Sequence, residues 1–271
     1  MPLKIMVGAR TWLYLLTILS CFFRVIADEQ NTDITIVADE WRPMHFLDEN
    51  GLPKGALYEL AEHAFTKAGI SYNIVEQPFA RALKTVKQHK NVVMLSVGRH
   101  ANRESQYRWL TPIYTDTYMA VALKQRRDIV IETPQDLTKY TLGVVRGYPL
   151  AVLSPELKSQ LKVVEVTSTQ QMWNLLKTGR VEYVFSTKNL ALFEAEYAGV
   201  DPNSVKGVFQ FKEKNLIRVY AITSKDTPQP TAERLQKALT NAVDSEYYDA
   251  LMARWQINAI SLAQELRFFG E

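Results

Sequence analysis

The sequence predicts an α/β protein of one or two domains, and three observations predict it. Short apolar strands alternate with helix-length segments along most of the chain. The helical segments place apolar residues three and four apart and tend to end in glycine. No internal repeat or low-complexity tract interrupts the alternation. Strands separated by helices imply parallel sheets covered on both faces.

Residues 33–38 alternate as a strand. Residues 55–68 read as a helix, with Leu57, Leu60, Ala61, Ala64 and Phe65 on one face and Gly69 as its stop. A strand at 71–76 follows, and Pro78 opens a helix that runs to about Gln88. Residues 91–97 form a buried strand and 118–123 another. Thr133-Pro134-Gln135-Asp136 reads as a helix start with proline in its first turn. Strands are expected at 141–145, 162–166 and 180–186. Between the last two, Ser168 caps a helix that turns Met172, Leu175 and Leu176 inward and ends at Gly179. Helices near 232–243 and 247–255 complete the chain.

The N-terminus sets the compartment. Lys4 and Arg10 precede an apolar run from Trp12 to Phe23, and Val25-Ile26-Ala27 supplies a small-residue cut site before Asp28. This is the pattern of a cleaved secretory signal peptide over 1–27. The run is short for a membrane span. An uncleaved anchor, or lipoprotein processing at Cys21, are the alternatives. Cleavage lowers the basic residues from 32 to 29, equal to the 29 acids, so the net charge of +3 falls to zero. A neutral chain has no bulk attraction for nucleic acid. Cleavage also removes the single cysteine, and with it disulfide and thiol chemistry. His45, His63, His89 and His100 show no metal-ligand spacing, so neither a metal nor a cofactor is expected. Glycine-rich phosphate loops, dinucleotide fingerprints and nucleophile elbows are absent from the sequence.

Five segments carry a resemblance. Trp41-Arg42-Pro43-Met44-His45-Phe46 leads through Asp48-Glu49-Asn50-Gly51 to Gly55. Gln77-Pro78-Phe79-Ala80-Arg81-Ala82-Leu83 follows. Ser96-Val97-Gly98-Arg99-His100-Ala101-Asn102-Arg103-Glu104 runs on to Pro112 and Tyr114, with nine residues from Arg103 to Pro112. Leu142-Gly143-Val144-Val145-Arg146-Gly147 and Thr178-Gly179-Arg180-Val181-Glu182 complete the set. In this order, they resemble the bacterial extracellular solute-binding proteins of family 3, across 33–255. The resemblance implies a type II periplasmic-binding-protein fold, in which two α/β lobes joined by a two-strand hinge close on a ligand. The first lobe would be 28–119 with 222–271 and the second 120–221. The hinge strands would cross near 118–123 and 218–223.

The resemblance also implies the site. Arg103 would grip a ligand carboxylate, since arginine offers a fixed two-pronged donor, and Ser96 would assist. Trp41, Phe46, Tyr114 and Tyr148 are candidate walls. Arg81 and Arg99 stand between pocket and surface roles, Arg146 is a candidate ligand residue of the second lobe, and Arg103 itself could pair with Glu104. Trp109 reads as packing. Amino-acid binders of the family carry an aspartate five residues after the acid of the last motif; here that position is Thr187. Where they place a threonine on the Gly147 loop, this chain has Pro149. The ammonium-binding chemistry is therefore expected to be lost. Arg103 and Arg146, one from each lobe, would suit an acidic ligand, or an aromatic acid stacked on Tyr148. The competing expectation is that Glu182, or an acid outside these motifs, replaces the missing aspartate.

The expected function is capture of a small anionic or amino-acid-like solute in the periplasm of a Gram-negative bacterium, as a monomer serving the membrane subunits of an ABC importer. A sensor input protein has the same sequence features. An enzyme like cyclohexadienyl dehydratase would need a cleft acid, and Glu182 is the motif-borne acid of the second lobe. N-terminal sequencing of the exported protein should read from Asp28; an intact Met1 would refute cleavage.

Overall fold

The chain begins as an alternation of strand and helix, for the reasons the sequence supplies. In this computed structural model the described residues are 34–148, 150, 153–211 and 216–257. Residues 1–27, read above as a signal peptide, and Pro149 lie outside them. β1 (Ile34–Ala38) is followed by the small ladder of β2 (Phe46–Leu47) and β3 (Pro53–Lys54). Helix α1 (Ala56–Ala68), β4 (Tyr72–Glu76), α2 (Phe79–Gln88) and β5 (Val92–Gly98) come next. β1 lies between β4 and β5, parallel to both. The predicted apolar stripe of α1 is buried in full, and Gly69 ends the helix in the left-handed region at φ 62.

A short helix, α3 (Ala101–Glu104), precedes the strand that organises the molecule. β6 (Arg108–Leu123) is 16 residues long. The sequence reading took only its last six residues as strand. The second lobe then runs through a one-turn helix at Pro134–Lys139, boxed by Thr133 and Asp136. It continues as β7 (Thr141–Val145), α4 (Pro155–Gln160), β8 (Lys162–Val166) and α5 (Thr169–Lys177). β9 (Tyr183–Thr187), α6 (Ala191–Tyr197) and β10 (Val205–Gln210) end it. The Ser168 hydroxyl caps α5 by accepting from Gln171 N at 3.2 Å, and α5 buries Met172, Trp173 and Leu176. The chain returns as β11 (Leu216–Thr223), followed by α7 (Gln229–Val243) and α8 (Glu246–Arg254).

The strand order is β4-β1-β5-β11-β6-β9-β7-β8, with β10 on β6. The first part of β6 pairs with β11 and the last part with β9 and β10, all antiparallel. β7 is parallel to β8 and β9. Both sheets are thus mixed rather than wholly parallel, because the outgoing and returning hinge strands must run in opposite directions. Apolar clusters cover both faces of each sheet.

β6 changes partners between Thr117, opposite Leu216, and Tyr118, opposite Thr187. β11 pairs with β6 from Leu216 and with β5 from Val219. Residues 218–223 are extended as read.

Gly55 ties the ladder to α1. Its φ is 112, and a Cβ there would sit 2.6 Å from the Met44 carbonyl oxygen. Gly51, at φ 76, faces open space. Gly55→Ala should therefore cost about 2–4 kcal/mol in denaturant unfolding, against about 1 kcal/mol for Gly51→Ala. Equal losses would show that the Met44 contact yields.

Candidate functional site

Three carboxyl groups converge on a cavity between the lobes. Asp39 follows β1 at its carboxyl end, Asp116 lies in β6 and Glu194 in α6, and all three line it. The cavity has a volume of about 60 Å³, room for roughly four to six water molecules. Its apolar walls include Trp41, Phe79, Tyr118, Tyr148 and Phe185, with Ile217 and Val219 of β11. Among the described residues, no lysine or arginine lines it.

Each acid is held by donors. Glu194 accepts from Trp41 Nε1 at 2.9 Å, Trp173 Nε1 at 3.1 Å and the Ser186 hydroxyl at 2.6 Å. Asp116 accepts from the Tyr114 hydroxyl, from Thr117 N at 2.7 Å and from Asn189 N at 3.3 Å. Asp39 accepts from the Tyr148 hydroxyl at 3.1 Å. Burial nevertheless wins at all three. It pushes Asp39 up to about 6, and the Glu40 charge adds to this while the Tyr148 bond opposes it. Burial also raises Asp116 and Glu194 against their hydrogen bonds.

Beneath Asp39 lies fully buried His45. Its Nδ1 is 2.7 Å from the Asp39 carbonyl oxygen and its Nε2 is 2.8 Å from Ser96 Oγ. Burial lowers the imidazole to about 4, so it is neutral at pH 7.

The sequence-predicted residues separate into cleft and surface. Trp41, Ser96, Tyr114, Tyr148 and Thr187 line the cavity. Arg103 is buried at 7 % exposure and spans the cleft. Its Nη2 donates to Gly147 O at 2.6 Å and its Nη1 to Gly98 O at 3.3 Å, with the guanidinium 5.4 Å from the Phe79 ring centre. Gly147, at φ 84, brings the second lobe's backbone against α2, where a side chain would meet Phe79 at 3.4 Å.

Arg81, Arg99 and Arg146 turn to the surface. Arg99 pairs with Glu104 and lies over Trp109 and Tyr220. Arg146 is exposed and bonded to Glu165, and Arg81 is exposed on α2. Phe46 packs edge-on against Trp255, away from the cavity. The expected pair of arginines, one from each lobe, is thus not assembled: Arg146 leaves β7 on the outer side, and acids occupy the cleft instead. Glu182 is also outside, accepting from Thr141 N, with Arg126 at 3.9 Å.

Asp39, Asp116 and Glu194 were missed because none belongs to a motif. Two had a signal. Asp39 ends a parallel strand, where ligand sites of α/β sheets gather. Asp116 interrupts an apolar strand between two tyrosines.

Asp39 holds a proton in the folded state between its ordinary 3.8 and about 6, where the unfolded chain has lost it. Its contribution to stability therefore falls as pH rises through that window, and the deficit is complete above it. Glu40, Glu76, Tyr58 and Tyr148 are the titratable groups coupled to it, with His45 on its carbonyl. Asp39→Asn should stabilise the ligand-free protein by about 1–3 kcal/mol at pH 7.5, and by little at pH 4. An equal gain at both values would place the Asp39 pKa in the ordinary range.

A histidine kinase sensor domain with similarity to periplasmic binding proteins superposes with TM-score 0.74 at 15 % identity, covering 83 % of this chain and 96 % of that one. An ancestral arginine-binding protein bound to arginine gives 0.68 at 21 %, covering 82 % and 97 %. An ancestral amino-acid-binding protein, described as a precursor of cyclohexadienyl dehydratase, gives 0.66 at 17 %, covering 82 % and 94 %. These likenesses show the type II periplasmic-binding-protein fold. No curated protein matches the chain significantly. Residues 34–258 match the profile of the bacterial extracellular solute-binding proteins, family 3, and the chain belongs to that family.

Proposed function

We propose that the protein works in the periplasm, enclosing a small solute between its lobes, releasing it unchanged and presenting the closed form to the membrane subunits of an ABC importer. The observation that carries this reading is the cavity, whose walls come from both lobes and both hinge strands. Contacts across the cleft favour closure: Trp41 to Glu194, Tyr148 to Asp39, Arg103 to Gly147, and Tyr197 to Glu40. Arg42 adds stacking, 4.1 Å from the Tyr197 ring centre. A hinge of two paired strands lets such lobes move as rigid bodies.

A sensor reading is favoured by the likeness to the kinase sensor domain. In that case, the same closed form would report to a membrane partner. The enzyme reading loses Glu182, which lies outside the cavity, and would have to use Asp39, Asp116 or Glu194. Purified protein should leave prephenate and arogenate unchanged.

Native mass spectrometry of gently purified protein should reveal a bound small solute in a one-to-one complex. Arg103→Ala removes a charge-assisted bond between the lobes, of a kind worth about 1.5–3 kcal/mol. It should weaken that solute roughly tenfold to a hundredfold and shift small-angle scattering toward an open form. Unchanged affinity and shape would remove Arg103 from the clasp.

A further inference from the structure

Hydrogen-bond polarity in the cleft is set by His45. The Asp39 carbonyl oxygen 2.7 Å from Nδ1 can only accept, so Nδ1 carries the imidazole proton. The ring is neutral, so Nε2 is an acceptor, and the Ser96 hydroxyl 2.8 Å away donates to it. Ser96 lines the cavity, and with its proton turned toward His45 it offers the solute only lone pairs.

The neighbouring donors are directed in the same way. The hydroxyls of Tyr114, Tyr148 and Ser186 and the indole N–H of Trp41 each point at a carboxylate of the site. What remains for a solute is dominated by acceptors, richest at Asp39, with the Tyr118 and Thr187 hydroxyls also on the wall. There the charges of Glu40 and Glu76 add to the negative field, and Arg42 is engaged by Glu40. A buried carboxylate without a cation is costly, and a bound cation removes that cost.

We infer that the cleft selects a donor-rich organic cation, an amine or guanidine without need of a carboxylate, and that His45 determines this specificity by holding the Ser96 hydroxyl as an acceptor. The inference rests on the solute-binding reading and replaces the anionic solute expected from Arg103 and Arg146. Arg103 then acts as a clasp on the Gly147 carbonyl rather than as a carboxylate anchor.

Matched probes test it. Thermal shift and calorimetry on exhaustively dialysed protein would compare agmatine with arginine, putrescine with ornithine, and both pairs with succinate and benzoate. Agmatine or putrescine should stabilise saturably, at least as well as its carboxylate-bearing partner, and the two acids should have no effect. Ser96→Ala should weaken the preferred amine about tenfold or more. His45→Phe, which keeps an aromatic ring beside Trp41 and Tyr58, frees the hydroxyl to donate and should lower the ratio of amine to succinate affinity. A merely structural His45 would lower the melting temperature and leave that ratio unchanged. If His45→Phe does not fold, Ser96→Ala alone decides. Preference for succinate, benzoate or a zwitterion over its decarboxylated partner would overturn the inference and leave the solute-binding reading standing. Silence toward every probe, with no small molecule retained on purification, would overturn both.

Discussion

A carboxyl group withdrawn from water must be met by donors, and in this molecule the donors come from both lobes. Glu194, in the second lobe, accepts from Trp41 of the first as well as from Trp173 and Ser186 of its own. Asp39, in the first lobe, accepts from Tyr148 of the second. Satisfying these acids and bringing the lobes together are one event. Burial still raises all three acids, so ionising them inside the closed cleft carries a desolvation cost. The shape of the fold and the polarity of its cavity therefore have a common origin.

Much of the fold was legible because its signals are local. The stripe of α1, the glycine stop at Gly69 and the Ser168 cap depend on residues a few positions apart, and all three formed as read. The missed pieces depend on distant partners. Residues 108–117 are mixed in polarity and become strand only through β11, more than a hundred residues later. β10 is mostly half-exposed or exposed, and it is defined by its pairing with β6.

The site was legible in outline and not in charge. Family motifs located Trp41, Ser96 and Tyr148 at the cavity because β1, β5 and β7 carry them toward it. The arginines of the same motifs did not follow. A long side chain can turn to a surface acid, as Arg99 does to Glu104 and Arg146 to Glu165. Glu194 was the hardest to find. In sequence it sits in Glu-Ala-Glu and reads like a solvated helix face, yet it is 5 % exposed beneath two indoles.

The place of β11 between β5 and β6 has a consequence for the order of assembly. The second lobe is one unbroken stretch of chain, complete once β10 has been made. The first lobe is not: β5 and β6 do not pair with each other, and the strand that joins them arrives at Leu216. α7 and α8, whose Leu235, Leu239 and Leu251 are buried in the first lobe's core, arrive later still. As the chain emerges from a ribosome or a translocation pore, the inserted lobe can mature while its host waits with two open sheet edges. Such edges invite mispairing. The nascent chain is thus most vulnerable between completion of β10 and docking of α8, the interval in which a chaperone has the most to protect.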